Sequence, residues 1–277
     1  MIRAWPVIPI IILALLATFA VFAPLLANQD PEKGNLRVRL VPPVWLEGGS
    51  SEYLLGTDQQ GRDIWSRIVY GTRISLLIAM IVLSAGAIGG TALGIVSGYF
   101  GSLVDEILMR LVDLTFAMPF ILVALVVAIV LGQAIEIIII LLIIFSWGAF
   151  ARQARGETLA LKERDYVAQA RVAGGTSRYI MTRHILPGLI NTIIVMASLR
   201  VGQLILAESI LSFLGLGIPP PTPAWGAMVA DGRGYISTAW WTSFFPGVMI
   251  FLTVMGFNFM GDWLRDFFDP RLRQASQ

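Results

Sequence analysis

The chain has no cysteine, a single histidine and few charges: only 14% of its 277 residues are Asp, Glu, Lys or Arg. The lack of cysteine excludes a disulfide framework and thiolate metal sites. One histidine, His184, excludes a multi-histidine metal centre. No G-x-x-x-x-G-K-[ST] phosphate loop, H-E-x-x-H or G-x-S-x-G motif occurs, so neither nucleotide hydrolysis nor a familiar hydrolase site is encoded. No catalytic residue, bound cofactor or metal is therefore expected of this chain. Polar surface is the scarcest thing of all. With 56% hydrophobic residues and a mean hydropathy of +0.76, the chain cannot cover a soluble globule with polar groups.

What is present instead is a series of long apolar runs, near 7–27, 74–98, 111–131, 135–151, 188–213 and 243–261. Each approaches the roughly 17 to 25 residues a helix needs to cross the hydrocarbon core. The expectation is an all-α integral membrane protein with six transmembrane helices. Residues 1–28 form the first span, and 29–73 an external segment with an interfacial helix. Residues 74–264 form a five-helix core, with a cytoplasmic loop at 152–187 and an external loop at 214–242, and 265–277 form a tail. Lys and Arg gather on the cytoplasmic side of membrane proteins. The loop with Arg152, Arg155, Lys162, Arg164, Arg171, Arg178 and Arg183 against Glu157, Glu163 and Asp165 is therefore assigned to the cytoplasm. Six spans put both termini there too, with Arg3 at one end and Arg265, Arg271 and Arg273 at the other, the latter offset by Asp262, Asp266 and Asp269. This asymmetry accounts for the net charge of +2, so no nucleic-acid surface is expected. Met1–Ala27 reads as a retained anchor, because its apolar run is longer than the 7 to 15 residues of a signal-peptide core.

Several local features carry more specific expectations. Leu55–Asp63 reads as a turn leading into an amphipathic helix, Ile64–Arg73, lying at the membrane surface. Gly86, Gly90, Gly94 and Gly98 strip one helical face of side chains and permit close packing in lipid. Arg110 can pair with Glu106 or Asp113. Arg200, Gln203, Glu208 and Ser209 lie inside the fifth span, where each charge costs about 2.5 to 3.5 kcal/mol on insertion scales. They read either as the polar lining of a conduit or as an interhelical pairing. Pro219, Pro220 and Pro221 end the fifth span's helix. Trp225, Tyr235, Trp240 and Trp241 suit an interfacial aromatic belt. The pairs Asp58 with Asp63 and Asp262 with Asp266 read as solvated surface, and His184 as a membrane-interface residue.

The polar island Leu161–Pro187 is the strongest functional signal. It reads as two short helices hinged at Gly174 and Gly175 and closed by Leu186 and Pro187. Ala168, Ala170, Ala173, Gly174 and Gly175 leave room for another protein's backbone to approach. Such a loop suits receiving force from a partner.

Residues 166–187 resemble the cytoplasmic "EAA" signature of importer-type ABC transporter permeases. Ala170, Gly174, Leu186 and Pro187 match the signature, whereas Ala168 stands where the family has Glu, Gln169 where it has the first Ala, and His184 where it has Ile. GTDQQGRDIWSRIVYGTRISL (56–76), SILSFLGLGIPPPTPAWGAM (209–228) and FNFMGDWLRDFFDPRLR (257–273) resemble the C-type permease of dipeptide, oligopeptide and nickel importers. This resemblance implies a type I ABC importer permease fold. It also implies a coupling helix in which Asp165, Tyr166, Ala168, Ala170, Arg171, Ala173, Gly174 and Gly175 meet an ATPase. The implied assembly is a heterodimer with a B-type permease, two ATP-binding subunits that hold ATP and Mg, and an external solute-binding protein, in a bacterial or archaeal cytoplasmic (inner) membrane. The implied cargo is a peptide, a nickel chelate, glutathione or an oligosaccharide.

An ion-gradient-driven transporter is the rival reading, and it would favour paired acidic residues at mid-membrane, where this chain offers Glu208 alone. An intramembrane enzyme lacks any nucleophile–base or metal constellation. If Asp165 is the N-cap, Ala168 occupies N3 and cannot complete a capping box, which would weaken the helix by about 0.5 to 1 kcal/mol.

Overall fold

The computed structural model describes residues 6–268. Arg3, Asp269, Arg271 and Arg273, used above in the charge argument, lie outside these. Among the described residues ten α-helices follow one another: α1 (Val7–Leu26), α2 (Ile64–Phe100), α3 (Ser102–Ala117), α4 (Phe120–Leu131), α5 (Ile135–Leu161), α6 (Asp165–Val172), α7 (Ser177–Ile180), α8 (Leu186–Phe213), α9 (Trp225–Gly232) and α10 (Trp241–Phe268). Among the described residues five helical stretches are long and apolar enough to cross a membrane, and a sixth exists if α3 and α4 count as one span. Those two meet at an 84° bend. Pro119 follows the bend, and the residue before a proline is pushed out of the helical region, as extended Met118 is. Neither half alone reaches across the roughly 30 Å core, since the 16 residues of α3 rise about 24 Å and the 12 of α4 about 18 Å.

Two compact units share these helices. The first comprises Met1–Met80, Ala124–Ile139 and Val201–Met260. In it the expected surface helix Ile64–Arg73 does not exist as a separate element; those residues are the first turns of α2, and most of them are buried. Asp63 caps α2, accepting from the Ser66 amide at 2.9 Å and the Ser66 hydroxyl at 2.6 Å. Burial pushes the Asp63 carboxyl above the usual carboxylate range, against the pull of these Ser66 hydrogen bonds. Asp58 accepts from Arg62 Nε at 2.6 Å, and Arg67 donates to the carbonyl oxygen of Pro31 at 2.9 Å. The reading of Asp58 and Asp63 as solvated is thus corrected: they are 6% and 2% exposed. An isolated charge at such depth would be expensive, and the Asp58–Arg62 contact answers it.

The aromatic belt is half corrected as well. Trp225 is fully buried, its indole donating to the Ile68 carbonyl over Gly71, where a Cβ would meet the ring. Trp241 is also buried and donates to Thr57 O, whereas Trp240 is exposed and Tyr235 half-buried. α1 is held by Trp65, which donates to Leu26 O at 2.8 Å and meets the Phe19 ring edge-on.

The second unit comprises Ile81–Val123, Ile140–Arg200 and Gly261–Gln277. Its spine is the α2–α5 pair. Gly86 lies against Ser146, Gly90 against Trp147 and Phe150, Gly94 against Ala151 and Ala154, and Gly98 against Arg155 and Thr158. A Cβ at any of the four would overlap these atoms, so the glycine face predicted from sequence is a helix–helix seam within the chain. Arg110 pairs with Glu106 at 2.6 Å, while Asp113 takes Arg152. Helix α10 continues to Phe268, so the expected tail from residue 265 begins as helix.

Candidate functional site

The polar island is built on the second unit. Helix α5 does not stop at the predicted span end near 151 but continues to Leu161, carrying Arg155 onto Asp105 (Nη2–Oδ2 2.6 Å) and ending where Lys162 donates to Gly98 O at 3.0 Å. The chain then turns into α6. Only Val167 of this helix is fully buried; it sits in a cluster with Ile95, Ala154, Ile180, Ile185 and Leu189, against which Ala170 also packs. Asp165, Tyr166, Ala168, Gln169, Arg171, Val172 and Ala173 are all exposed. Val172 is 91% exposed, an apolar side chain that the described residues leave almost uncovered.

The end of α6 is a Schellman motif. Gly174 N–H donates to Arg171 O at 3.1 Å and Gly175 N–H to Ala170 O at 2.9 Å, with Gly174 at φ +82°. The left-handed conformation there explains glycine in steric terms. The N-terminus departs from expectation. Its N-cap is Arg164, with no side-chain capping bond, and Asp165 is the first helical residue. Position 168 is therefore N4 and not N3, so the capping-box argument about Ala168 fails. Asp165 still favours the helix through its charge in the first turn.

The second half of the island is also corrected. Thr176 caps α7 by accepting from Tyr179 N–H, but Leu186 and Pro187 do not close it. A π-helical stretch, Met181–Ile185, runs straight into α8, with Leu186 N–H bonding Met181 O. The wider turn accommodates Pro187, which lacks a donor and would crowd the preceding turn of a regular α-helix. His184 stands between two tyrosines, 5.3 Å edge-on from Tyr179 and 6.2 Å from Tyr166. Its Nε2 is buried with no hydrogen-bond partner among the described residues, and its ring packs in this aromatic cluster.

The four candidate pathway residues are not alike. Glu208 is 3% exposed, accepting from Ser212 at 2.7 Å and Ser75 at 3.4 Å. Ser209 is buried as well. Gln203 is exposed and Arg200 half-buried. Hydrogen-bonded packing within the first unit describes Glu208 better than a lumen lining does. Ser212, at i+4 from Glu208, was the available sequence signal for that pairing. Ser75 carried none.

The conserved-profile match covers residues 90–274 and is to the binding-protein-dependent transport system inner membrane component. The chain belongs to that family. Among curated relatives of this permease, the dipeptide transport system permease protein DppC of Haemophilus influenzae is 39% identical over 96% of this chain and 90% of its own length. The di/tripeptide permease DppC of Pseudomonas aeruginosa is 39% identical over 96% and 88%. The glutathione transport system permease protein GsiD of Pectobacterium atrosepticum is 45% identical over 82% and 75%. In fold, the permease matches a chain of the inward-facing MetNI methionine ABC transporter with a TM-score of 0.56 at 18% identity, over 77% of this chain and 97% of that one. The permease thus has the type I ABC importer fold and is a multi-pass inner-membrane component of a kind that generally works with a partner permease, an ATPase and a binding protein.

Proposed function

We propose that this permease forms half of the translocation pathway of a peptide importer, pairing with a B-type permease, two ATP-binding subunits and an external solute-binding protein. ATP and Mg are held by the ATP-binding subunits and not by this chain, and both termini are cytoplasmic. The observation that carries the mechanism is the lopsided burial of α6: one fully buried anchor, Val167, and an otherwise exposed surface. A short helix so weakly covered by its own chain is suited to sit in a cleft of an ATPase. Asp165, Tyr166, Ala168, Ala170, Arg171, Ala173, Gly174 and Gly175 are the coupling residues in this reading. ATPase closure would move α6, and α5 and α8 would carry the motion to the spans through the shared cluster. Arg200 and Gln203 remain the pathway residues of choice, because they are less covered than Glu208 and Ser209.

Relatives named for dipeptide, di/tripeptide and glutathione transport support a small peptide-like cargo. Reconstitution with the partner subunits tests the reading: uptake of a labelled dipeptide should require ATP and stop with hydrolysis-dead ATPase subunits. Uptake that persisted with such subunits would sink the mechanism. Competition by glutathione or a nickel chelate separates the cargo alternatives.

A further inference from the structure

In the second unit, a groove of about 450 Å³ runs between α2 and the helical stretch leading into α8. Small residues on α2, Ala87 and Ala92, make it concave, and Ile190 and Ile194 face them. Its length is informative. From Ala87 to Val96 is nine residues along α2, about 14 Å, and from Thr182 to Ile194 twelve residues, about 18 Å. One leaflet of the hydrocarbon core is about 15 Å deep, half of the roughly 30 Å total. A partner's spanning helix would need a groove twice as long.

Charge is confined to one end. No charged residue occurs from Ile74 to Gly98 or from Leu186 to Leu199. At the Val96–Thr182 end a basic residue lies close in the chain to each wall, and the one carboxylate there, Asp105, which Ser97 bonds, is neutralised by Arg155. Lys162 donates to Gly98 O, two residues beyond Val96. Arg178, one turn before Thr182, is exposed and offers its carbonyl to the Thr182 hydroxyl at 2.8 Å. Basic positions beside apolar crevices on the cytoplasmic side favour anionic headgroups.

We infer that this groove binds one acyl chain of an anionic phospholipid of the cytoplasmic leaflet, its headgroup held by Arg178 and Lys162. The inference rests on the proposed cytoplasmic placement of the polar island. Because Met181 and Thr182 belong to the π-helical stretch between α7 and α8, an occupant would brace the connection between the coupling segment and the spans.

The test uses the assembled transporter in bilayers of phosphatidylglycerol or phosphatidylcholine, analysed by native mass spectrometry. One phosphatidylglycerol per copy should survive extraction, and phosphatidylcholine should not replace it. Ala92→Trp, which fills the groove, should remove that lipid, and Arg178→Gln should weaken its retention roughly five-fold. Should Ala92→Trp fail to assemble, Ile190→Ala, which widens the groove, should loosen retention with assembly intact. Equal retention by Ala92→Trp, equal retention of both lipids, or a disulfide between Ala92→Cys and the partner permease would each overturn the inference. The orientation is read separately: Arg178→Cys, in a chain without native cysteine, should resist an impermeant maleimide added to intact cells. Labelling from outside would defeat the cytoplasmic placement whatever the lipid result.

Discussion

The α2–α5 seam and helix α6 stand in the same unit and follow opposite designs. Along the seam, four glycines let backbone meet backbone and side-chain stems, leaving no room for a single extra carbon. Helix α6 rests on one fully buried valine, exposes nearly everything else, and begins without a side-chain cap. Interhelical contact in lipid gains little from the hydrophobic effect, so close packing must supply rigidity there. A short helix of eight residues is marginal by itself and depends on tertiary contact. The seam therefore behaves as a stiff lever, and α6 as a surface completed by another protein.

The difference can be broken first at the seam. Gly90→Leu would drive a side chain into Trp147 O and Phe150 Cβ. Overpacking of this kind costs about 3 kcal/mol or more, and the thermal transition of the purified complex should fall sharply or assembly should fail. A normal transition would show that the seam yields. Next is Val167→Ala, which removes the buried anchor of α6. The lost methyl groups and the cavity cost about 2 kcal/mol. The loss should be local: amides of 165–172 exchange faster and ATP hydrolysis per cargo rises, while the global transition hardly moves. A fall in the global transition equal to that of Gly90→Leu would erase the distinction between lever and surface.

Sequence reading reached these two regions with unequal success, for physical reasons. The glycine face was legible because a period of four on an apolar run has few uses besides packing. The apolar spans were legible because the bilayer fixes their length, although the 84° bend before α4 turned on a single residue, Pro119. The first turns of α2 were misread as a surface helix because Asp58, Arg62, Asp63 and Arg67 look solvated in sequence. Their burial depends on one another and on Pro31, Ser66 and Asp231, contacts that local pattern cannot display. Within α6, Gly174 was legible as a terminator, but Asp165 drew the cap to itself because aspartate is a common cap, and the chain starts the helix one residue earlier.

Smaller perturbations sharpen the account of α6. At Gly174 nothing lies within 4 Å of an added Cβ, so Gly174→Ala tests conformation alone. Holding alanine at φ +82° costs about 1 kcal/mol. Faster exchange at the Gly174 and Gly175 amides, with coupling reduced but not abolished, is the expected outcome; unchanged exchange would mean that the Schellman bonds do not hold this end.

The finest test concerns the start of the helix, where two placements of the cap make opposite forecasts. With Arg164 as N-cap, Arg164→Ser places a capping hydroxyl before the unsatisfied amides of the first turn and should stabilise α6 by about 0.5 to 1 kcal/mol. Ala168→Gln, at N4, should change nothing, because its side chain cannot reach back to the cap amide. A cap at Asp165 would reverse both results, since Gln at N3 completes the box and residue 164 would lie outside the helix. Arg164→Ser also removes a cation from the helix N-terminus, so Arg164→Gln, which loses the same charge without adding a capping hydroxyl, is the control: it should give the smaller gain. Slower exchange of the α6 amides in Arg164→Ser but not in Ala168→Gln is thus the expected pattern. It would mean that the alanine at 168 leaves the helix start unweakened, so that the order of α6 within its own chain rests on the Val167 anchor and the Schellman end.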